Sequence, residues 1–397
     1  MSQAERPFRR QVFYIPGYDP FPPRRYRELY RTEGAAQAAI SGYSLRQRPR
    51  KGSGPYGWIV TSDMTEGQAE STIQILEWSD IVRGSMAAGI WATYALLLRT
   101  AWIYLSTGAL FRLFRLRAGP GIAAMYPVVM LLGQLLVALL AAWALGWALA
   151  WVLSGWLAFL LGLGVVWPVL EGFRRIDGKF FVHYLLLDFA FTAKHMGRNP
   201  PELEARLTEF AALIAAALDD PDLDEVLVVG HSSGVHLGVS VLARVVARDV
   251  PERKLAFLSL GHAVPMQSYL PKADTLRADL RALSQSDKLF WLDVTAPGDG
   301  CCYALCDPVA CSGAASAGQK WPLMISAAFT QSLTPETYGK YKRRYFRLHF
   351  QYLCAFDAPK DYDYFQITAG PVALADRFGA RKSSASVSRA CYLPEVA

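Results

Sequence analysis

The sequence predicts an α/β fold in which a mostly parallel sheet, flanked by helices, is interrupted by an inserted transmembrane helical hairpin. Two observations lead to this prediction. Strand-like apolar segments alternate with helical patterns on either side of the chain's central region. Residues 118–170 contain no Asp, Glu, Lys, Arg or His. Since one bilayer span needs about 20 apolar residues, this uncharged run is long enough for two spans.

The composition of the 397 residues favours a protein that is partly embedded in a membrane. The chain is 52% hydrophobic and 19% charged, against about 25% charged in average soluble domains. This balance excludes a disordered or collagen-like chain, and six Cys are too few for a disulfide framework. The net charge of +7 suits an anionic membrane surface, because basic residues flank the apolar segments and no nucleic-acid-binding motif is present.

The uncharged run predicts two helical arms at residues 122–144 and 148–170, with Gly146 as the pivot. Trp143, Trp147 and Trp151 lie around this bend, where a hairpin would meet the far membrane–water interface. Basic residues lie at both outer ends of the hairpin. Since positive flanks favour the cytoplasmic side, we expect both ends to be cytoplasmic. The flanking residues are Arg112, Arg115, Arg117, Arg174, Arg175 and Lys179.

A second apolar segment, residues 86–110, precedes the hairpin and carries Arg99 near its middle. An unpaired Arg at the bilayer centre costs at least ~2.5 kcal/mol. We therefore predict an interfacial helix that does not cross the membrane. In the alternative, this segment and the following run each cross once. That arrangement would place Arg112, Arg115 and Arg117 outside, against the charge bias.

The strongest short motif is GHSSG at residues 230–234. The apolar, β-branched residues 226–229 predict a buried parallel strand before it, and a helical pattern follows to about residue 247. G-x-S-x-G between a strand and a helix is typical of a nucleophile elbow, whose turn projects the hydroxyl of Ser232 clear of the sheet. The glycines leave room for tight packing of the turn. The amide of Ser233 can then face a developing oxyanion.

With this motif the sequence resembles the α/β-hydrolase superfamily of esterases and lipases. A less specific element near the start adds to the resemblance: residues 12–15 predict a strand that opens into a loop, Pro16-Gly17-Tyr18-Asp19-Pro20. In the family, a Gly-containing loop after an early strand supplies the second oxyanion-hole amide. The resemblance therefore implies this role for the amide of Tyr18. A plain Pro-Gly turn is the alternative.

The catalytic histidine follows from chain order, because the family's triad runs Ser, then Asp or Glu, then His. Only His349 lies beyond both the motif and the next two strand-like segments. We expect His231 and His236 to face away from the nucleophile, and His262 to be either a core residue or part of the site. The six histidines are His183, His195, His231, His236, His262 and His349.

The resemblance places the triad acid in the loop after the strand-like residues 289–294, which selects Asp299, with Asp307 as the alternative. His349 would take the proton of Ser232 and later protonate the leaving group, while Asp299 fixes the imidazole tautomer. His349 lies in a strand-like stretch, whereas the family carries its His in a loop after the last strand. A histidine buried in the core is therefore the alternative.

The predicted domain organisation is a hydrolase domain built from residues 1–82 and 176–397, with a membrane insertion at residues 83–175. A single active site needs both portions on one side of the bilayer, so the number of crossings must be even. We expect an integral membrane protein of the bacterial inner-membrane type, with its catalytic domain on the cytoplasmic side. Its partners would be the lipid bilayer and a small-molecule or lipid-like acyl substrate.

The function expected is that of a membrane-anchored serine hydrolase that cleaves an ester, thioester or lipid-like acyl substrate through an acyl-Ser232 intermediate. A catalytically inactive hydrolase-like scaffold or binding module is the alternative. No cofactor is implied. No metal is expected either, because the four clustered cysteines lack the paired C-x-x-C spacing of structural zinc sites. They are Cys301, Cys302, Cys306 and Cys311.

Overall fold

A computed structural model describes residues 6–86, 89–248 and 254–394 of the chain. Its strands are β1 (Phe8–Ile15), β2 (Ser44–Pro49), β3 (Gly57–Met64), β4 (Gly67–Ile75), β5 (Glu225–His231), β6 (Leu255–Leu260), β7 (Leu289–Thr295) and β8 (Leu323–Ser326). They form one eight-stranded sheet in the order β2-β3-β4-β1-β5-β6-β7-β8. β3 is antiparallel to both of its neighbours, and every other pair is parallel. The predicted mostly parallel α/β sheet is confirmed.

Helices of the described residues connect these strands and flank the sheet. They are α1 (Arg24–Ser41), α2 (Ser79–Ser85), α3 (Ile90–Ser106), α4 (Ala109–Leu116), α5 (Ala118–Leu149), α6 (Gly155–Leu163), α7 (Val166–Arg175), α8 (Val182–Lys194), α9 (Pro201–Leu218), α10 (Gly234–Val246), α11 (Val264–Ser268), α12 (Asp274–Gln285), α13 (Pro308–Cys311), α14 (Phe329–Ser332), α15 (Pro335–Tyr341), α16 (Tyr345–His349), α17 (Tyr364–Ala369) and α18 (Leu374–Phe378). Short 3-10 helices occur at Asp177–Lys179 and Phe350–Leu353.

Both faces of the sheet are covered, because successive strand residues point to opposite sides. Val12 and Leu227 pack with α1 and α17 on one face. Phe13 and Val228 pack with α9, α10 and α12 on the other. Every residue of β5, β6 and β7 is buried, as expected for parallel strands between two helical layers.

The chain segments before and after the apolar region share this sheet. β1 pairs directly with β5, and Val12 lies opposite Leu227. A buried ion pair between Arg10 and Glu225 joins the same two strands, and Arg10 also donates to the carbonyl oxygen of Gly370 at 2.6 Å. A hydrogen-bonded sheet with open edges cannot straddle a bilayer. Any membrane crossings between β4 and β5 must therefore be even in number.

Two helical segments are long and apolar enough to cross a membrane: α5, and residues Gly155–Lys179, which contain α6 and α7. α2 and α3 would make a third only if counted as one span, and they are bent by 101°. α3 runs beside α5, where Tyr94 Oη donates to the carbonyl oxygen of Leu131 at 2.9 Å. Arg99 donates to the carbonyl oxygen of Lys194 at the end of α8.

The interfacial placement of residues 86–110 stays a prediction, and its residues 87–88 lie outside the described residues.

The predicted pivot of the hairpin is wrong. α5 continues through Gly146, and the turn into α6 lies at residues 150–154. Gly146 instead lies where the two arms touch, since a Cβ there would be 3.4 Å from the carbonyl oxygen of Ala158. A Cβ on Gly162 would be 2.5 Å from the carbonyl oxygen of Ala142. Small residues here let the arms approach closely, and sequence alone does not separate that role from a bend.

Candidate active site

Ser232 lies in the turn between β5 and α10, at the carboxyl end of a central strand. Its φ is +57°, a left-handed conformation that residues other than glycine rarely adopt. Close packing holds the turn in place. A Cβ on Gly234 would lie 2.2 Å from the carbonyl oxygen of Ile15, and a Cβ on Gly230 would lie 2.9 Å from the carbonyl oxygen of Gly234. The turn thus requires glycine at both positions, and strain of this kind concentrates at functional sites.

The loop after β1 reaches the same turn. A Cβ on Gly17 would lie 3.1 Å from Ser232 Cβ and 3.5 Å from Ser232 Oγ, so only glycine allows this approach without displacement. Trp78 Nε1 donates to the carbonyl oxygen of Pro16 at 2.9 Å and so fixes the start of the loop. The structure therefore places the Pro-Gly loop directly against the serine.

The two amides predicted for an oxyanion hole are those of Tyr18 and Ser233. Neither amide donates a hydrogen bond to another group within the described ranges. The carbonyl oxygen of Tyr18 accepts a hydrogen bond from Tyr184 Oη at 2.5 Å, which fixes this peptide from the side of α8. Both N–H groups are thus without an acceptor among the described residues, and their role as an oxyanion hole stays a prediction.

His349 and Asp299 form a buried hydrogen-bonded pair. His349 Nδ1 lies 2.7 Å from Asp299 Oδ2, and the carboxylate also accepts from Tyr352 Oη at 3.1 Å and from the amide of Cys301 at 2.9 Å. Burial pushes the pKa of Asp299 upward, but the charge and hydrogen bond of His349 and the amide of Cys301 outweigh it, so the pKa lies below its ordinary value. An ionised Asp299 holds the imidazole proton on Nδ1 and leaves Nε2 as the base.

Asp307, the alternative acid, serves a different purpose. Its Oδ1 accepts the amides of Val309 and Ala310 at 2.9 and 3.1 Å, which caps α13. Its Oδ2 accepts Gln319 Nε2 at 2.9 Å. Of the two candidate acids, the structure places Asp299 beside His349.

The stretch around His349 is helical, so its strand-like interpretation is wrong. Residues Tyr345–His349 form α16, and Phe350–Leu353 continue as a 3-10 helix. Leu348 and Tyr352 are both buried and lie four residues apart, which is a helical spacing. The many aromatic residues of this stretch favoured a strand instead. His349 thus lies after β8, the last strand of the described residues. The resemblance implies a loop after the last strand, whereas His349 is the last residue of a helix.

Ser232 and His349 line one pocket, together with apolar side chains such as Leu185, Phe189 and Met266. In the part of the chain that the structure describes, no hydrogen bond joins Ser232 Oγ to the imidazole of His349. Catalytic hydrogen bonds are often long in enzymes without substrate and shorten in the reactive complex. The two side chains therefore share a pocket without being directly bonded.

His231 faces this pocket, contrary to the expectation from sequence. Its ring centroid lies 4.8 Å from that of His349, and its Nε2 lies 3.0 Å from the carbonyl oxygen of His349. Burial lowers the pKa of His231 to about 3, so the ring is neutral and holds His349 in place without carrying charge. His236 is buried on α10 and does not line the pocket. His262 is a core residue bonded to the carbonyl oxygen of Cys306 at 2.9 Å.

Asp188 of α8 also lines the pocket and was missed by the sequence analysis. Its Oδ1 accepts a hydrogen bond from Ser233 Oγ at 3.3 Å. Burial raises the pKa of Asp188 to about 7, and the hydrogen bond from Ser233 and the charge of His349 oppose this shift. A signal was present, because Asp188 is the one acidic residue in the apolar run 180–193.

Gly261, directly after β6, is the second missed residue. Its φ is +53°. A Cβ there would lie 2.6 Å from Tyr352 Cε2 and 3.2 Å from His349 Cε1. Glycine at this position therefore leaves the space that both rings occupy.

Among the described residues, no three His, Cys, Asp or Glu side chains are placed to hold a metal ion. All six cysteines are free. Cys301 lines the pocket, but burial raises the pKa of its thiol well above the ordinary value, so it stays protonated. Since a protonated thiol is a poor nucleophile, Cys301 is a weak candidate for covalent chemistry in this pocket.

Comparison with family models, curated proteins and solved structures finds no match to this chain. The pocket combines a serine in a strained turn, an imidazole oriented by an ionised carboxylate and two available amides. Acyl transfer uses groups of these types.

Proposed function

We propose that this protein is a membrane-anchored serine hydrolase, of α/β-hydrolase esterase or lipase type, that cleaves an ester, thioester or lipid-like acyl substrate. One observation carries the proposal: Ser232, held at positive φ, shares a pocket with His349, whose Nδ1 is bonded to buried Asp299. The order of these three residues along the chain and the mostly parallel sheet around them support the relation to this superfamily.

In the proposed reaction, His349 Nε2 accepts the hydroxyl proton of Ser232 as Oγ forms a bond to the acyl carbon. The amides of Tyr18 and Ser233 stabilise the negative oxygen of the tetrahedral intermediate. The bond to the alcohol or thiol then breaks, and the leaving group departs with the proton from His349. Water attacks the acyl-Ser232 by the same proton transfers and releases the carboxylic acid, so each turnover consumes one water.

The proposed location is a membrane of the bacterial inner-membrane type, with the hydrolase domain on its cytoplasmic side. The length and apolar surface of the two arms support an embedded hairpin, since Trp143 and Trp151 are 71% and 78% exposed. The basic residues at both outer ends of the hairpin support the cytoplasmic orientation.

The test is steady-state hydrolysis of p-nitrophenyl esters and of acyl thioesters by the full-length protein in detergent micelles. We expect Ser232→Ala to lower kcat/KM by about 10³-fold or more. Ser240→Ala is the matched control: it lies on the same helix, and its hydroxyl bonds to Asp279 at 2.7 Å, outside the pocket. Equal rates for the wild type and Ser232→Ala would overturn the proposal.

A catalytically inactive membrane scaffold is the second candidate. The observation in its favour is that no hydrogen bond links Ser232 Oγ to His349 within the described residues. This candidate predicts that the folded wild type hydrolyses no ester or thioester faster than Ser232→Ala does.

A further inference from the structure

The pocket wall includes the first helix of the apolar hairpin. Pro120 and Ala123 of α5 line the pocket together with Ser232. The start of α5 also touches the loop that holds the proposed triad acid, since a Cβ on Gly119 would lie 3.2 Å from the carbonyl oxygen of Gly300. Leu185 and Phe189 of α8 add further apolar side chains to the lining. One long helix therefore provides both part of the active site and an apolar arm.

The length of α5 sets the depth of this pocket relative to a bilayer. A helix of 32 residues is about 48 Å long, whereas the hydrocarbon core is about 30 Å thick. We place Trp147 at the far membrane–water interface, which aromatic rings prefer. A span of about 20 residues, counted back along α5 from Trp147, puts the near edge of the hydrocarbon core at about residue 128. Pro120 and Ala123 then lie about 7–12 Å further along the axis, near the depth of lipid headgroups.

The neighbouring surface of α5 is apolar and uncovered. Ile122 is 63% exposed and Val129 is 62% exposed, although Ala123 between them lines the pocket. Tyr126 Oη donates to the carbonyl oxygen of Phe180 at 3.0 Å, where the second arm returns to the hydrolase domain. An acyl chain lying along α5 would therefore meet apolar side chains continuously from the hydrocarbon to the pocket.

We propose that the substrate is a long-chain acyl lipid that reacts while still embedded in the leaflet facing the hydrolase domain, with α5 as the wall that guides its chain to Ser232. This inference rests on the proposed hydrolase function. It narrows the substrate from acyl compounds in general to esters or thioesters resident in the bilayer.

The experiment uses the full-length protein in phosphatidylcholine vesicles, with p-nitrophenyl acetate in the water and p-nitrophenyl palmitate in the bilayer. Ala123→Phe fills the pocket wall. Leu160→Phe, which adds a ring at a 54% exposed position of α6 on the second arm, is the matched control, since Leu160 lies outside both the pocket and the proposed route along α5. We expect Ala123→Phe to lower palmitate hydrolysis about tenfold or more, well beyond its effect on the acetate. Leu160→Phe should hydrolyse both esters as the wild type does.

The outcomes separate the two proposals. No hydrolysis of either ester by the wild type overturns the proposed function. Hydrolysis of both esters, with equal losses in Ala123→Phe for palmitate and acetate, overturns only the membrane route.

A second measurement covers the case in which Ala123→Phe does not fold. A long-chain alkyl fluorophosphonate with a diazirine at its chain end is reacted with the wild type in vesicles and then photolysed. Crosslinks on α5 or α8 support the inference. Labelling of Ser232 without any crosslink on these two helices contradicts it.

Discussion

Gly17 lies against Ser232, so that a Cβ on Gly17 would be 3.1 Å from the serine Cβ. The glycine precedes the apolar hairpin in sequence, and the serine follows it. Their contact means that the candidate site is assembled from two distant chain segments. The pairing of β1 with β5 fixes this assembly in the sheet.

The acid can be tested by comparing Asp299→Asn with Asp307→Asn. An amide at position 299 cannot hold His349 in the required tautomer, so we expect kcat for a p-nitrophenyl ester to fall by about 10³–10⁴-fold. Asn at position 307 can still cap α13, and activity should stay within a few-fold of the wild type. A large loss in Asp307→Asn with little change in Asp299→Asn would reverse the assignment.

Gly261→Ala tests the space that the histidine needs. The new Cβ would collide with the ring of Tyr352 and press on His349. Because displacements near 1 Å are costly in catalysis, we expect activity to fall by about 10²-fold. Gly42→Ala is the control, since Gly42 also has positive φ (+77°) but no atom lies within 4 Å of its Cβ position. Similar activity in both variants would show that Gly261 does not position His349.

The raised pKa of Asp188 predicts a pH-dependent stability. The folded protein keeps this proton up to about pH 7, while the unfolded chain releases it at about pH 4. The unfolded state therefore binds fewer protons between these values, and this residue's contribution to stability falls as the pH rises through that window. Asp188→Asn removes the effect. The free energy of unfolding of Asp188→Asn minus that of the wild type should be more positive at pH 8 than at about pH 4. A difference that does not change with pH would contradict this.

The number of crossings can be tested with reporter fusions in cells. Since β1 and β5 belong to one sheet, a reporter at the N-terminus and one after Ala397 should both report the cytoplasm. A reporter inserted in the turn at residues 150–154 should report the opposite side. Terminal reporters on different sides would rule out the hairpin topology.

Local patterns were enough to predict much of the fold and the site. β5 and β7 were identifiable because continuous apolar runs are typical of buried parallel strands. Ser232 was identifiable because its turn needs a fixed glycine spacing. The family's chain order then selected His349, and the loop position that the resemblance implies selected Asp299. The structure brings these two residues into contact.

The remaining features depend on tertiary contacts that short patterns do not record. β2 was missed because its residues, SLRQRP, form an edge strand with no buried face. Asp188 was missed because only the packing of α8 against the elbow brings it near Ser233. Gly146 was misinterpreted because close helix packing and bending both favour glycine.

The most direct test of the central claim is to map the covalent adduct of a fluorophosphonate by peptide mass spectrometry of the full-length protein. Ser232, activated by His349, should be the only residue that the fluorophosphonate modifies. His349→Ala should slow formation of this adduct by about 10³-fold or more. An adduct on a different residue, or a labelling rate that does not depend on His349, would contradict the proposed catalytic arrangement.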